Sequence, residues 1–311
     1  MRILVVGAGS TGGYFGGRLA AAGRDVSFLV RAQRAEQLRA TGLEIISPHG
    51  NLTLAPTLVT AGEIAGPYDA VLLTVKGFAL EAALDDLAPA IGPETMILPV
   101  LNGMRHMETL AERFGRQAVA GCVCKIASHL DDQGRILHLT PLQELAYGEL
   151  GGEPSARMAR LDAVLQGAGF DARLSPAIEQ EMWEKWVMLA ALGGVTCLMR
   201  GNVGEVVATA GGTEFALGFL AEVSAIATAA GHPPGPAFLE QTRALLTQPG
   251  SPVASSMYRD LQKGRAVEAD QILGDLLARG WRLGVATPLV AAAFSHLTVY
   301  QNRLGQSQRG R

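Results

Sequence analysis

The stretch ILVVGAGSTGGYFGG, Ile3 to Gly17, decides the fold. Four apolar residues, Ile3–Val6, run into Gly7-Ala8-Gly9-Ser10-Thr11-Gly12, and a small-residue helix pattern continues to Ala22-Gly23. A parallel strand buried on both faces reads as a continuous apolar run. Gly7 permits a tight turn, Gly9 omits a side chain where a pyrophosphate would approach the backbone, and Gly12 lets helix and strand pack closely. The free N–H groups and positive dipole end of the helix then face the phosphates. Ser10 and Thr11 lie inside this loop and are candidate cofactor contacts with the three glycines. A second strand, Asp25–Arg31, follows at βαβ spacing, which separates this motif from an ordinary glycine-rich turn.

The residues after the second strand bear on the dinucleotide. An NAD site places Asp or Glu about 20 residues beyond the glycines, on the ribose 2′-hydroxyl. No acid stands between Asp25 and Glu36; Arg31 and Arg34 stand there instead. Arginine suits a 2′-phosphate, so the reading is NADPH. For Arg34 a solvated loop position remains an equal alternative.

Bulk properties bound the class. With 311 residues the chain is long enough for two domains. It is 48% hydrophobic and 18% charged with a net charge of −3, an ordinary soluble composition. Nothing is basic enough for a nucleic-acid surface, and Arg303, Arg309 and Arg311 read as a frayed tail. No run reaches the roughly 18 apolar residues of a membrane span. The N-terminal residues read as strand and turn rather than signal peptide, so the expected compartment is the cytoplasm. The odd set Cys122, Cys124 and Cys197 has no disulfide spacing and no histidine at metal-ligand distance, so no metal is expected.

Short β pieces are expected at Leu43–Ile46 and Leu52–Leu54, and a clear strand at Asp69–Val75, ending in Lys76. A helix at Leu80–Ala90 and a strand at Met96–Leu101, ending in Asn102-Gly103-Met104, follow. Ligands of open parallel sheets sit beyond the carboxyl ends of strands, where Lys76 and Asn102 stand. Lysine can meet anionic groups there, and asparagine offers both donor and acceptor; each could equally be a loop cap. From Ala118 to Gly148 the pattern is strand, Asp131–Gly134 turn, strand, read as an antiparallel extension of the sheet. His129 and His138 in these strands read as structural. A helix at Met158–Ala168 and a strand at Phe170–Leu174 close the first half.

At Ser175-Pro176 the pattern turns helical, which puts domains at 1–174 and 175–311. Lys185 lies beside the apolar arc of Ile178, Met182, Trp186 and Leu189, and is the last charge before the uncharged run Trp186–Met199. Such a lysine is snorkelling, paired with Glu181 one turn back, or functional. Further helices are expected at Thr213–Ala230, Ala237–Thr247 and Pro288–Leu304. Polar residues are dense between Ser255 and Asp270, with Glu268 at the edge of an apolar arc.

Together these pieces resemble the ketopantoate reductase (2-dehydropantoate 2-reductase) family over essentially the whole chain. The likeness rests on Gly7–Gly12, Leu73-Thr74-Val75-Lys76, Asn102-Gly103-Met104, Trp183-Glu184-Lys185, and Ser255-Ser256-Met257…Asp260…Gly264-Arg265…Glu268-Ala269-Asp270. The resemblance implies an α/β protein: an N-terminal Rossmann-like NAD(P)-binding domain, and a C-terminal all-helical domain that closes the cleft. It implies Lys185 as general acid and Glu268 as its support. It also implies Asn102 at nicotinamide and substrate, Lys76 along the cofactor, Ser256 on the substrate carboxylate and Arg31 on the 2′-phosphate. The implied reaction is NADPH-dependent reduction of a 2-oxo acid, with ketopantoate to pantoate in pantothenate biosynthesis as the default. Monomer and homodimer are both expected for the family.

The chemistry agrees from below. Hydride addition to a ketone creates an alkoxide that needs a proton, and a cationic lysine stabilises that charge before supplying the proton. A nearby carboxylate keeps the ammonium ionised. The chain also departs from the family pattern. Asparagines are common four and eight positions after the lysine, and three before the substrate serine; here Leu189, Gly193 and Val253 stand there. A buried polar group without its partner costs about 1–3 kcal/mol. A different branched or aromatic 2-oxo acid is therefore an alternative substrate, and a non-catalytic NADP-binding protein is a third reading.

Overall fold

The computed structural model describes residues 1–309; Arg311, in the expected frayed tail, lies outside the described residues. By internal contacts the chain divides into two compact units. The first is Met1–Leu101 with His106–Glu179, and the second is Asn102–Arg105 with Gln180 onward. Sequence patterning puts the switch at Ser175, a few residues before the division at Glu179.

The first unit follows the order β1 (Arg2–Val6), α1 (Ser10–Ala21), β2 (Asp25–Leu29), α2 (Ala32–Thr41), β3 (Leu43–Ile46), β4 (Leu52–Leu54), β5 (Thr57–Val59) and β6 (Ala70–Leu73). It continues with α3 (Leu80–Leu87), β7 (Met96–Pro99), α4 (Arg105–Phe114), β8 (Gly121–Leu130), β9 (Ile136–Gly148), α5 (Ala156–Leu165) and β10 (Asp171–Leu174). Five strands form a parallel sheet in the order β5-β2-β1-β6-β7, a Rossmann-like arrangement. β1 and β6 lie inside it and β7 at one edge, and all three are apolar on both faces. Leu4, Val71 and Ile97 pack against α3 residues on one side. Ile3, Val5 and Leu72 join Phe15 and Leu19 of α1 on the other.

Two expectations are corrected. β2 stops at Leu29: Val30 makes one more backbone bond to the edge strand, to Val59, and Arg31 then becomes the extended N-cap of α2. The hairpin of β8 and β9 does not extend the first sheet. It belongs to a second sheet ordered β10-β9-β3-β4, with β8 antiparallel to β9. The long β9 pairs in parallel with both β3 and β10, so its partners are fixed by contacts far away in sequence. One isolated bridge, Ile97 to Val119, leads from the first sheet toward β8. His138 on β9 is structural, as expected: its Nε2 donates to the Leu142 carbonyl and its Nδ1 accepts from Ser47 Oγ.

The second unit is helical: α6 (Ile178–Met199), α7 (Val203–Val207), α8 (Gly212–Ala229), α9 (Pro236–Thr247) and α10 (Ser256–Gln262). A π-helical turn, Asp270–Gly274, runs into α11 (Asp275–Arg282), and α12 spans Pro288–Arg309. The all-round apolar second half of α6 is explained by burial: Val187, Ala190, Ala191, Val195 and Cys197 are fully buried. Gly194 lies against Phe219 of α8, where a Cβ would come within 2.0 Å of the ring. Among the described residues no helix is long and apolar enough to cross a membrane.

Candidate active site

In the first unit the glycine loop has the geometry its sequence predicts. Gly7 has φ +95°, a backbone conformation that disfavours side chains, and its N–H bonds to Leu29 across the β1–β2 pair. A Cβ on Gly12 would fall 2.1 Å from Thr74 Oγ1 and 2.2 Å from the Gly7 carbonyl oxygen. Thr74, after β6, donates to the carbonyls of Val6 and Gly7 at 2.8 and 3.0 Å and locks the loop from beneath. Gly9 is the N-cap of α1, and a Cβ built on it meets nothing within 4 Å. Backbone N–H groups at the start of α1 thus border open space on the side where a side chain would otherwise stand. This is the cradle a dinucleotide pyrophosphate requires, and the residues present fit that group.

The arginines after β2 separate into two kinds. Arg31 is exposed at the N-cap of α2. Arg34, half-buried, is engaged by protein: Nε donates to the Ala8 carbonyl, Nη1 to Gln37 Oε1 and Nη2 to the Gly134 carbonyl. Burial pushes its guanidinium down from the ordinary arginine value, yet arginine stays cationic at working pH. Lys76 is exposed at the start of a short 3₁₀ turn, with Nζ 5.9 Å from the centre of the Phe78 ring.

In the second unit, residues far apart in sequence meet. Asn102 Nδ2 donates to Glu268 Oε2 at 3.4 Å, a long contact between half-buried groups. Gly103 makes the approach possible: its φ is +80°, and a Cβ there would lie 2.2 Å from the Gln271 carbonyl oxygen. Lys185 is half-buried on α6. The next residue, Trp186, donates its indole N–H to the Ile272 carbonyl at 2.9 Å, joining α6 to the π-helical turn beyond Glu268. Glu184 on the neighbouring face is occupied elsewhere, accepting from the Gly235 N–H and Gln180 Nε2.

Ser255 and Ser256 also divide their roles. Ser255 is buried; its Oγ accepts from Tyr258 N as the N-cap of α10 and pairs with Thr196 Oγ1. Ser256 is exposed at the first position of the helix. Where family members often carry asparagines, Leu189 is half-buried and Gly193 is buried. A Cβ on Gly193 would meet Met257 Cε at 2.7 Å, so the thioether fills that space. Among the described residues no cluster of three His, Cys, Asp or Glu is placed to hold a metal ion. Sequence reasoning missed Thr74 and Trp186, although Thr74 follows the β6 strand, where site residues of such sheets gather.

The fold and site define an α/β dinucleotide-binding oxidoreductase with a helical second unit. Family descriptions agree: "Ketopantoate reductase PanE/ApbA" matches residues 3–152, and "Ketopantoate reductase PanE/ApbA C terminal" matches residues 177–301. The chain belongs to the ketopantoate reductase family. It is 37% identical to an uncharacterized oxidoreductase, YkpB, of Bacillus subtilis (strain 168), covering 97% of this chain and 99% of that protein. The crystal structure of 2-dehydropantoate 2-reductase from Geobacter metallireducens GS-15 superposes with a TM-score of 0.86 at 30% identity, covering 96% of this chain and 99% of that one. A D-mandelate dehydrogenase, solved with NADH and anilino(oxo)acetate, shares the fold at a TM-score of 0.85 and 23% identity, covering 98% and 100%.

Proposed function

We propose that this protein reduces a 2-oxo acid to the 2-hydroxy acid with NADPH, with ketopantoate as the default substrate. Residues 1–174 bind the cofactor, and 175–311 carry the acid and the substrate contacts. The observation that carries the reading is the Asn102–Glu268 contact, which assembles two implied site residues from opposite ends of the chain. A nicotinamide held by the glycine loop would supply hydride-transfer chemistry. Lys185 stabilises negative charge growing on the carbonyl oxygen and then gives it a proton. Glu268 supports Lys185 as a carboxylate of opposite charge that helps to place the ammonium at the reacting carbonyl. Asn102 orients the carboxamide or carbonyl next to Glu268, and Ser256 receives the substrate carboxylate. Gly7, Gly9, Ser10, Thr11 and Gly12 cradle the pyrophosphate, Lys76 lies along the cofactor, and Arg31 takes the 2′-phosphate. The family and the absence of a membrane-crossing helix among the described residues support a cytoplasmic enzyme.

A second reading keeps the mechanism and changes the substrate. Leu189, Val253 and the Gly193–Met257 packing give an apolar surface where the family often places amides. That favours a bulkier branched or aromatic 2-oxo acid. NADPH oxidation against a panel of 2-oxo acids tests both readings. Turnover of aromatic acids but not ketopantoate selects the second; tight NADPH binding with no turnover on any of them sinks both.

A further inference from the structure

We propose that Trp186 is a positioning residue: its indole N–H holds the π-helical turn beyond Glu268 against the helix of Lys185 and so sets where the Glu268 carboxylate stands. The inference rests on the reading of Lys185 and Glu268 above. Trp186 is 1% exposed, and its ring has a donor but no acceptor. That donor is spent on the carbonyl of Ile272, at 2.9 Å, in a buried setting. Ile272 in turn donates its N–H to the carbonyl of Glu268 at 3.1 Å. A path of two hydrogen bonds therefore runs from the residue after the lysine to the backbone of the glutamate.

The turn it reaches is unusual. Asp270–Gly274 is π-helical, a widened geometry rare in proteins and common at functional sites. A widened turn is less uniquely determined by its own backbone than an α-helical one, so outside contacts decide its position. Besides packing on Phe294 of α12, two contacts bear on the residues nearest Glu268. Trp186 binds the Ile272 carbonyl, while Gly103 lies against the Gln271 carbonyl so closely that only glycine fits, with Asn102 reaching Glu268 from the same loop. The indole is itself held: the Arg279 guanidinium lies 5.5 Å from its centre and is anchored to Asp275 at 3.1 Å. Loss of the indole N–H would leave the Ile272 carbonyl without this donor in a dry site, and relaxation of the turn would carry Glu268 with it.

The test is Trp186→Phe, which keeps an aromatic ring but removes the donor. Expected results are unchanged NADPH affinity and KM for the 2-oxo acid, with kcat lower by about tenfold, as for one lost hydrogen bond of about 1.4 kcal/mol. A crystal structure of the variant should show Glu268 withdrawn from Asn102, a readout independent of which reaction the site runs. If the variant does not fold, benzothienylalanine at 186, an isostere with sulfur in place of the N–H, should give the same results. Wild-type kcat, or a Glu268 carboxylate still on Asn102, in either protein would overturn the proposal. Turnover surviving Lys185→Ala would instead remove the reading on which it rests, leaving the structural outcome to decide the role of Trp186.

Discussion

Arg34 Nε donates to the carbonyl oxygen of Ala8 at 3.2 Å, tying α2 to the glycine loop, while Nη2 reaches Gly134 in the β8–β9 turn. Arginine offers five donors in a fixed fork, so one side chain can brace two backbone segments. Arg34→Ala should therefore weaken NADPH and NADH binding by similar factors, about threefold to thirtyfold each, as one or two hydrogen bonds imply. Calorimetric titration with both cofactors measures the ratio; a selective loss of NADPH would make Arg34 a phosphate ligand.

Arg31, exposed at the N-cap of α2, has the opposite expectation. Arg31→Asp replaces the proposed partner of the 2′-phosphate by a repelling charge that can meet a ribose hydroxyl. NADPH binding should fall at least tenfold, with NADH equal or better. An unchanged NADPH-to-NADH ratio counts against the cofactor assignment.

Gly12→Ala places its new methyl on a backbone oxygen and on Thr74 Oγ1, and a backbone clash cannot be relieved by a rotamer change. Overpacking of this kind costs about 1–3 kcal/mol. A lower melting temperature together with weakened cofactor binding should follow, seen by thermal unfolding with and without NADPH. Wild-type behaviour in both would mean that α1 and β6 are not packed this tightly.

Substrate choice should respond to residues 189 and 193. Leu189→Asn with Gly193→Asn restores amides on one helix face, at the expense of moving the flexible end of Met257. The kcat/KM for ketopantoate relative to phenylpyruvate should rise about tenfold or more, as for one recovered hydrogen bond of about 1–3 kcal/mol. A ratio that does not move would remove the apolar surface from the account of specificity.

Stability should fall on acidification from about pH 6.5, before the carboxylates protonate. Burial pushes the His138 imidazole down, and His296 moves the same way for the same reason. Between the depressed native value and the ordinary one the unfolded chain binds more protons, so stability present above pH 6.5 is lost as pH drops. A separate loss follows at lower pH, because Arg157 holds the Glu149 carboxyl below its ordinary value. Melting temperatures across this range should show the first drop reduced in His138→Gln; an identical drop in that variant would assign it to another group.

Legibility in the sequence followed the range of the interactions involved. The β1–loop–α1 unit was readable because each glycine meets a local requirement, at Gly7 for its φ and at Gly12 for contact with its own loop. The second sheet was not, since Ile45 pairs with Ile136 and Glu144 with Asp171, registers that no local pattern encodes. Arg34 reads equally as a 2′-phosphate contact or a solvated loop residue, because its bonds to Ala8 and Gly134 join segments that no local pattern connects. Asn102 stands out at a strand end and Glu268 at the edge of an apolar arc, but their roles come only from the family resemblance, and their contact depends on Gly103 lying against Gln271. The π-helical turn left no trace in hydrophobic periodicity, which does not distinguish one widened turn within a helix.

The central claim, that Lys185 supplies the proton, is tested most directly by Lys185→Ala, with NADPH binding and turnover measured on the same preparation. The account predicts NADPH affinity within twofold or so of wild type and kcat reduced by about 10²-fold or more, the usual contribution of a general acid. Near-wild-type turnover in that variant, with NADPH bound, would contradict it.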